Sequence, residues 1–377
     1  MNFSSANPVH LRARLRFWAK RTRKGRLSMS EKMNVGVIGC GSIARQRHAY
    51  EYSKNPNVNI VGFQDFLAER AEKMADTFGG RVFSDAEELI ADETIDAVSV
   101  CSANKFHAEL SIAALNAGKH VLCEKPMAVS IEECEAMIAA AKKNGKRLMI
   151  GHNQRLNSTH AKAKAILDSG EMGRVISFQS TFGHRGPESW TADKSANTWF
   201  FRKDAASFGS MADLGIHKID LIRYLVGGKV VKVFSSLATL DKKFPDGTPI
   251  EVDDNSVELF SFENGAIGTV TTSWTHYGEE CNASSIFCEN GVLKLYHDPK
   301  FSLQIVYKDG TKASYEIDRM QTNEDAQLES SGVIDEFVAA INENRASCLD
   351  AEDIIDSMRV VFAAVESSAQ GREITIN

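Results

Sequence analysis

The stretch Asn34–Ala44, NVGVIGCGSIA, contains the pattern that decides the fold. Its first residues form a short apolar run, which predicts a buried strand. A GxGxxA pattern follows, in which the first glycine permits a tight turn and the second lets the backbone approach a pyrophosphate. That pyrophosphate would lie at the N-terminus of the helix that begins here. We assign the phosphate-binding positions to Gly39, Gly41, Ser42, Ile43 and Ala44.

Short apolar strands and amphipathic helices alternate from this turn to about residue 153. Four further strands are predicted at VNIVGFQD, IDAVSVCS, KHVLCEK and KRLMIGHN, and several of the helices between them end at a glycine. Such alternation is typical of a parallel sheet with helices on both faces. Residues 33–153 are therefore predicted to form an α/β, doubly wound Rossmann domain that binds a dinucleotide.

Asp65 ends the second predicted strand, about 20 residues after the glycine turn, where a carboxylate can accept from the ribose hydroxyls. A carboxylate at this position repels a 2′-phosphate, so we predict NAD in preference to NADP. Arg70 lies one helical turn further on, within the reach of an arginine side chain from a phosphate, which keeps NADP open as the alternative.

The pattern changes in residues 154–377. Alternating stretches such as VVKVFSSLATL, SVELFSFENG and AIGTVTTSWTHY predict an open, mostly antiparallel sheet within a second α/β domain. We expect two helices to close the chain, near residues 329–342 and 351–369. The long irregular stretch of residues 182–208 is typical of a segment that lines a binding site. This half is predicted to bind substrate and to form the oligomer.

Composition excludes several classes of function. The chain has 377 residues and a formal net charge of -6, which gives no electrostatic reason to expect a nucleic-acid partner. No apolar run is long enough for a transmembrane helix. Seven cysteines, without a CxxC pair, indicate a reducing compartment, and we predict a cytoplasmic protein. The histidines form no cluster with metal-ligand spacing, so no metal is expected.

Residues 1–32 differ from the rest because they are rich in Arg and Lys and have no acidic residue before Glu31. They lack the apolar core of a signal peptide. We expect a disordered extension here, with a transit peptide or a membrane-surface helix as the alternatives.

Two further segments carry candidate chemistry. The fourth strand ends in Glu124-Lys125-Pro126, at the carboxyl edge where doubly wound sheets bind ligands. In DLGIHKIDLIRYL, residues 213–225, helical spacing places Asp213, His217, Asp220 and Tyr224 on one side. Alone, that polar stripe is either a solvated helix face or one wall of an active site. A carboxylate four residues before a histidine can hold the ring and favour its protonated form, which would keep the pKa near 7.

GCGSIA, NAGKHVLCEKPMA and ADLGIHKIDLIRYLVG, in this order and at these separations, resemble the Gfo/Idh/MocA oxidoreductases. The resemblance extends from about Asn34 to the C-terminus. It implies an N-terminal Rossmann domain and a C-terminal α/β domain whose open sheet faces partner subunits in a homo-oligomer, which we expect to be a dimer or tetramer. It also implies hydride transfer between a nicotinamide and a secondary alcohol carbon of a sugar or cyclitol.

The resemblance also implies roles for individual residues. Lys125 matches the lysine near the nicotinamide and the substrate hydroxyl, while Asp213 and His217 match the pair that binds substrate and transfers the proton. Asp220 and Arg223 are interpreted chiefly as a helix-stabilising pair, with a supporting role for Asp220 behind the catalytic residues as the alternative. Further cofactor contacts are assigned to Ser102, Asn104, His107 and Glu124, and substrate contacts to Gln154, Trp199 and Arg202.

We therefore expect His217 to take the hydroxyl proton, Lys125 to hydrogen-bond the same oxygen, and Asp213 to orient the substrate or the imidazole. Ser102-Ala103 stands where the family usually has Thr-Pro, so cofactor contacts there need not be conventional. Three alternatives remain: an NADP-dependent sugar or deoxysugar reductase, a non-catalytic dinucleotide-binding regulator, and an imine or biliverdin-type reductase, which need not keep the Asp/His pair.

Overall fold

The computed structural model describes residues 32–192, 194–319 and 330–376. The basic extension predicted for residues 1–32 lies outside these ranges except for Lys32. In the described ranges, no helix combines the length and the hydrophobicity that a membrane crossing requires.

The first sheet is parallel, six-stranded and ordered β3-β2-β1-β4-β5-β6. Its interior strands, such as Ala97–Val100, are buried along their whole length because helices cover both faces. The strands are β1 (Met33–Ile38), β2 (Val58–Gln64), β3 (Arg81–Val82), β4 (Ala97–Val100), β5 (His120–Cys123) and β6 (Leu148–Ile150). The helices are α1 (Tyr50–Lys54, preceded by a π-helical segment Ala44–Ala49), α2 (Ala68–Phe78), α3 (Ala86–Ala91), α4 (His107–Asn116) and α5 (Ile131–Asn144).

The second sheet has nine strands in the order β14-β13-β12-β11-β7-β10-β9-β8-β15, and only the β7–β10 pair is parallel. Its strands are β7 (Val175–Gly183), β8 (Val230–Ala238), β9 (Asn255–Phe262), β10 (Ile267–Ser273), β11 (Ser284–Cys288), β12 (Gly291–Leu295), β13 (Leu303–Tyr307), β14 (Lys312–Tyr315) and β15 (Ile374–Thr375). Its helices are α6 (Ser158–Asp168), α7 (Lys203–Ala206), α8 (Ile216–Val226), α9 (Val333–Asn342) and α10 (Ala351–Gln370).

These two sheets confirm the predicted fold class, an α/β Rossmann sheet with a second, mostly antiparallel open sheet. The sequence patterns missed the central strand β7, the adjacent β11, and the short β3, α3 and β15. In β7 the buried Phe178 and Phe182 alternate with Ser, Gln and Thr, so its hydrophobicity is low for a central strand.

Helix α8 and β6 bring the two halves of the chain together. A π-helical segment, Met211–Gly215, leads directly into α8, and both lie buried among residues of each sheet. Three hydrogen bonds to the carboxylate of Asp253 hold the start of this helix: from the backbone N–H of Gly209, the hydroxyl of Ser210 and the backbone N–H of Met211, at 2.7, 2.8 and 2.8 Å. This anchoring places the predicted polar stripe against the carboxyl ends of β5 and β6.

Candidate active site

The glycine turn has the geometry that a dinucleotide needs. Gly39 has φ +89°, and a Cβ there would lie 2.6 Å from the carbonyl of Cys101, so no larger residue fits. A Cβ on Gly41 would meet no atom within 4 Å, which leaves its backbone open toward the helix that starts at Ser42. This open backbone at a helix N-terminus suits the pyrophosphate of NAD.

Asp65 follows β2, and both of its carboxylate oxygens accept backbone hydrogen bonds. Cys40 N–H donates to one oxygen at 2.6 Å, and Leu67 N–H donates to the other at 2.8 Å. Each oxygen keeps a second lone pair that could accept from a ribose hydroxyl. Phe66 beside it is 98% exposed, and Arg70 is partly buried in the first turn of α2.

The turn after β4 is held by buried side chains. Asn104 donates to the carbonyl of Ala206 at 2.8 Å. The His107 ring lies between the carbonyls of Pro126 and Ser102, at 2.7 and 3.0 Å. The side chains of Asn104 and His107 therefore bind other parts of the chain, and they fix the backbone where the cofactor contacts were predicted.

Glu124 is buried, and its carboxylate is the centre of a hydrogen-bond network beside the predicted site. Its carboxylate lies 2.9 Å from Nε2 of His48 and 3.5 Å from Arg47, and it accepts the backbone N–H of Lys125 at 3.2 Å. Burial alone would raise its pKa, but His48 and Arg47 outweigh that cost and lower the pKa to about 2. Glu124 is therefore a fixed anion that holds the backbone of Lys125 in place.

The Nζ of Lys125 pairs with Asp213 across 88 residues of sequence. It donates to Oδ1 and to the backbone carbonyl of Asp213, at 2.9 Å each. The other carboxylate oxygen, Oδ2, accepts from Nε1 of Trp274 at 3.1 Å and lies 3.7 Å from Nε2 of His184. Burial opposes ionisation of Asp213, but the Lys125 and His184 charges prevail, so its pKa is below the usual value. The site thus contains an oriented Lys–Asp ion pair in which Asp213 is buried and Lys125 is partly buried.

His217 lies one helical turn after Asp213 but does not hydrogen-bond to it. Its ring meets Phe182 and His152, with centroids 6.0 and 6.2 Å away, and its Nδ1 has no hydrogen-bond partner among the described residues. Burial, followed by the charge of Lys125, lowers its pKa well below the usual value. The expectation that Asp213 holds His217 near pKa 7 is therefore wrong, and the lowered pKa favours the neutral imidazole of His217 at neutral pH.

Asp220 does not pair with Arg223, contrary to the prediction. It accepts two hydrogen bonds from Arg155, at 2.6 and 2.7 Å, and one from Ser357 at 2.7 Å. Arg223 instead donates to Ser357 at 2.6 Å and lies 3.4 Å from Asp356. The side chain of Asp220 is directed inward because the helix is buried except at Arg223 and Tyr224, which are partly buried, so the polar stripe is not a solvated face.

The three predicted substrate residues lie in different surroundings. Gln154 is buried, with Nε2 3.5 Å from Asn282, and its Oε1 has no partner among the described residues. Trp199 stacks on Phe200 at 3.9 Å. Arg202 is exposed over the ring of Phe244. Only Gln154 thus presents an unpaired polar atom in the buried interior.

Four buried residues around the Lys125–Asp213 pair follow a strand or its adjoining turn: His152, Arg155, His184 and Trp274. Sequence patterns indicated the segments that contain His184 and Trp274 as places where substrate specificity would lie, but they missed His152 and Arg155. Because doubly wound sheets bind ligands beyond the carboxyl ends of their strands, His152 after β6 had a usable sequence signal. Arg155 lies in the second half of the chain, where no such rule applies.

Family models and known relatives identify the same family for both halves of the chain. Residues 33–152 match the oxidoreductase family model with an NAD-binding Rossmann fold, and residues 160–294 match the GFO/IDH/MocA C-terminal domain. Levoglucosan dehydrogenase of Pseudarthrobacter phenanthrenivorans is 30% identical over 309 residues, covering 74% of this chain and 77% of that protein. Glucose-6-phosphate 3-dehydrogenase of Bacillus subtilis is 33% identical over 254 residues, covering 66% and 70%.

Solved structures give the same result. A levoglucosan dehydrogenase in complex with NADH superposes with a TM-score of 0.81 at 27% identity, covering 92% of this chain and 100% of that one. The resemblance of the three sequence segments is thereby confirmed. The chain belongs to the Gfo/Idh/MocA family of oxidoreductases.

Proposed function

We propose that the protein is an NAD-dependent dehydrogenase that oxidises a secondary alcohol of an unphosphorylated sugar or cyclitol. The observation that carries this proposal is the Lys125–Asp213 pair, with His217 one turn further on, at the carboxyl edge of the dinucleotide-binding sheet. The names of its relatives support it, since levoglucosan dehydrogenase and myo-inositol 2-dehydrogenase are named for such alcohols.

Each side chain has a distinct task in this proposal. His217 is neutral, so it can accept the proton of the substrate hydroxyl. Lys125 donates a hydrogen bond to the same oxygen and stabilises its developing negative charge, while Asp213 keeps the ammonium group in position. When bound, the nicotinamide supplies the hydride acceptor.

An uncharged substrate fits three of the cations near the site because these three already have a carboxylate partner, while Lys218 donates to the carbonyl of Asn282 and the hydroxyl of Ser284. Lys125 pairs with Asp213, Arg155 with Asp220, and Lys242 with Glu188. A phosphate group would have to displace one of these carboxylates. We therefore favour an unphosphorylated sugar or cyclitol.

The preference for NAD rests on Asp65. Its carboxylate is held by two backbone N–H groups and cannot turn away from a ligand without losing them. A 2′-phosphate at the ribose would meet this fixed negative charge, whereas a 2′-hydroxyl can donate to it. Phe66 and Leu67, the next two residues, offer no positive charge to compensate.

A substrate panel tests the function and the cofactor together. Cyclitols, glucosides and nucleotide sugars are offered to the purified protein with NAD or with NADP, and reduced cofactor is followed by absorbance. We expect at least one cyclitol or glucoside to be oxidised, with kcat/KM at least about tenfold higher for NAD than for NADP. A higher kcat/KM with NADP than with NAD would contradict the role of Asp65. The absence of turnover with every alcohol in the panel would contradict the proposed function.

We further propose that a second copy of the chain covers one face of the nine-stranded sheet. Phe234, Val257, Leu259 and Ile267 are each about half exposed, at 46–52%, and Phe234, Leu259 and Thr269 are cross-strand neighbours on that face. Exposed apolar side chains at adjacent positions of a flat sheet are typical of a subunit interface.

Leu259→Lys tests this interface because it places a charge at the centre of the face. We expect a smaller species than the wild type in analytical ultracentrifugation at equal protein concentration. Leu240→Lys is the control, since Leu240 is 71% exposed in the β8–β9 connection. Identical sedimentation of the wild type and Leu259→Lys would overturn the proposed interface.

A further inference from the structure

His152, directly beyond β6, is a buried titratable group that the proposed chemistry does not yet use. Its side chain is 1% exposed, and neither ring nitrogen has a hydrogen-bond partner among the described residues. A buried polar group without partners costs free energy, so its presence calls for a functional explanation. Two groups lie against it: the carboxylate of Asp220 and the ring of His217.

Asp220 gives one side of His152 a fixed negative charge. Its carboxylate is ionised, with a pKa lowered to about 2 because His152, Arg155 and Ser357 together outweigh the cost of burial. Arg155 and Ser357 hold both of its oxygens in place. The Nδ1 of His152 lies 3.5 Å from Oδ2 of Asp220. An anion at that nitrogen favours the tautomer with the proton on Nδ1, which leaves a lone pair on Nε2.

The other neighbour is the proposed base. The rings of His152 and His217 meet edge to face, with centroids 6.2 Å apart and planes 75° apart. After His217 takes the substrate proton, it becomes a buried cation close to Lys125, which is an unfavourable position for positive charge. A neutral imidazole backed by a carboxylate is the type of neighbour that offsets such a charge.

We propose that His152 is a positioning residue which, with Asp220 behind it, holds the ring of His217 and stabilises the positive charge that His217 gains from the substrate. This inference rests on the proposed function. One proton moves, from the substrate hydroxyl to His217, while His152 keeps its own proton on Nδ1 and breaks no bond.

The charged surroundings of the two rings bear on any pH dependence. His152 faces negative charge from α8 and from the end of β5, and positive charge from its own turn and from β5. His217 faces positive charge from Lys125, Arg47 and Lys218, and a protonated His152 would add to it. The proposed stabilisation therefore belongs to neutral His152. Burial lowers the pKa of His152, which favours this neutral form. The charged groups around His152 are Asp220, Glu124, Arg155 and Lys125.

Two substitutions separate packing from electrostatics. His152→Phe preserves the ring and its packing but removes both nitrogens, whereas His152→Gln retains a donor and an acceptor. With the best alcohol from the substrate panel, we expect His152→Phe to lower kcat at least about tenfold with little change in KM, and His152→Gln to stay within about threefold of the wild type. Binding of NADH, measured by calorimetry, should be equal in all three proteins and shows that the variants are folded.

The pH profile gives a readout that a purely structural role would not move. Oxidation needs neutral His217, so the acid limb of kcat/KM reports its pKa in the free enzyme. Without His152, the imidazolium of His217 loses stabilisation and the acid limb moves to lower pH in His152→Phe. An unchanged limb together with wild-type kcat in that variant would overturn the proposal.

Neutron diffraction on the wild-type protein tests the same idea without any substrate. We expect deuterium on Nδ1 of His152, facing Asp220, and none on Nε2. Deuterium on Nε2 alone would reject the proposed orientation. Should the panel yield no oxidised alcohol, the dehydrogenase proposal fails, and the position of the deuterium still decides whether Asp220 and His152 form the pair described here.

Discussion

Lys125→Met is expected to lower kcat by roughly a thousandfold, with a much smaller change in the affinity for NADH. Methionine has a similar length and flexibility, so the side chain still fills its place. It cannot donate to the substrate oxygen, and it leaves the buried carboxylate of Asp213 without the Nζ contact at 2.9 Å. Steady-state kinetics with the best panel substrate and calorimetry with NADH measure the two effects separately.

Lys73→Met is the matched control for this experiment. Lys73 lies on α2 with 77% of its side chain exposed, and it pairs only loosely with Glu69 at 4.0 Å. We expect this variant to retain wild-type kcat. A Lys125→Met enzyme that also kept the wild-type kcat would remove Lys125 from the mechanism and weaken the case for the whole site.

The first half of the fold was accessible from sequence because its signals are local. A strand, a glycine turn and a helix follow one another within the stretch that contains Gly39 and Gly41, and helix-ending glycines recur further along. The second half was less accessible because its strands expose one face. In β7 the outward positions Ser177, Gln179 and Thr181 dilute the apolar pattern, although β7 lies at the centre of its sheet.

The sequence predicted which residues belong to the site, but not which residues they contact. Asp213 and His217 stand four residues apart, and that spacing indicated a pair on one helix. The buried helix instead brings Asp213 to Lys125 and Trp274, which are distant in sequence. Likewise, the spacing of Asp220 and Arg223 suggested a helix-stabilising pair, but burial directs Asp220 to Arg155. In a buried helix, a polar side chain can bind residues that are distant in sequence in preference to its neighbours on the same helix. Local sequence spacing does not predict that a helix is buried on all sides.

Glu258→Gln is expected to stabilise the protein at neutral pH. Glu258 lies in β9 with 0% exposure, and neither carboxylate oxygen has a hydrogen-bond partner among the described residues. Burial raises its pKa from 4.5 to about 8, against a smaller opposite effect of the Ser256 hydroxyl, which lies nearby but bonds to Thr272 instead. The folded state therefore binds this proton more tightly than the unfolded chain does. The free energy of unfolding is therefore unaffected below pH 4.5 and falls as the pH rises from 4.5 toward 8. Linkage puts the loss at roughly 3 kcal/mol by pH 7.

Glutamine has the same shape but no proton to lose, so its variant should lack this pH-dependent loss. Urea unfolding at equal protein concentration, at pH 5, 6, 7 and 8, should give curves for wild type and Glu258→Gln that diverge as the pH rises, with the variant more stable. Glu69→Gln, at a side chain that is 86% exposed, should follow the wild type throughout. Parallel curves for the wild type and Glu258→Gln would mean that Glu258 is already ionised in the folded protein at neutral pH, which would require a partner for its carboxylate.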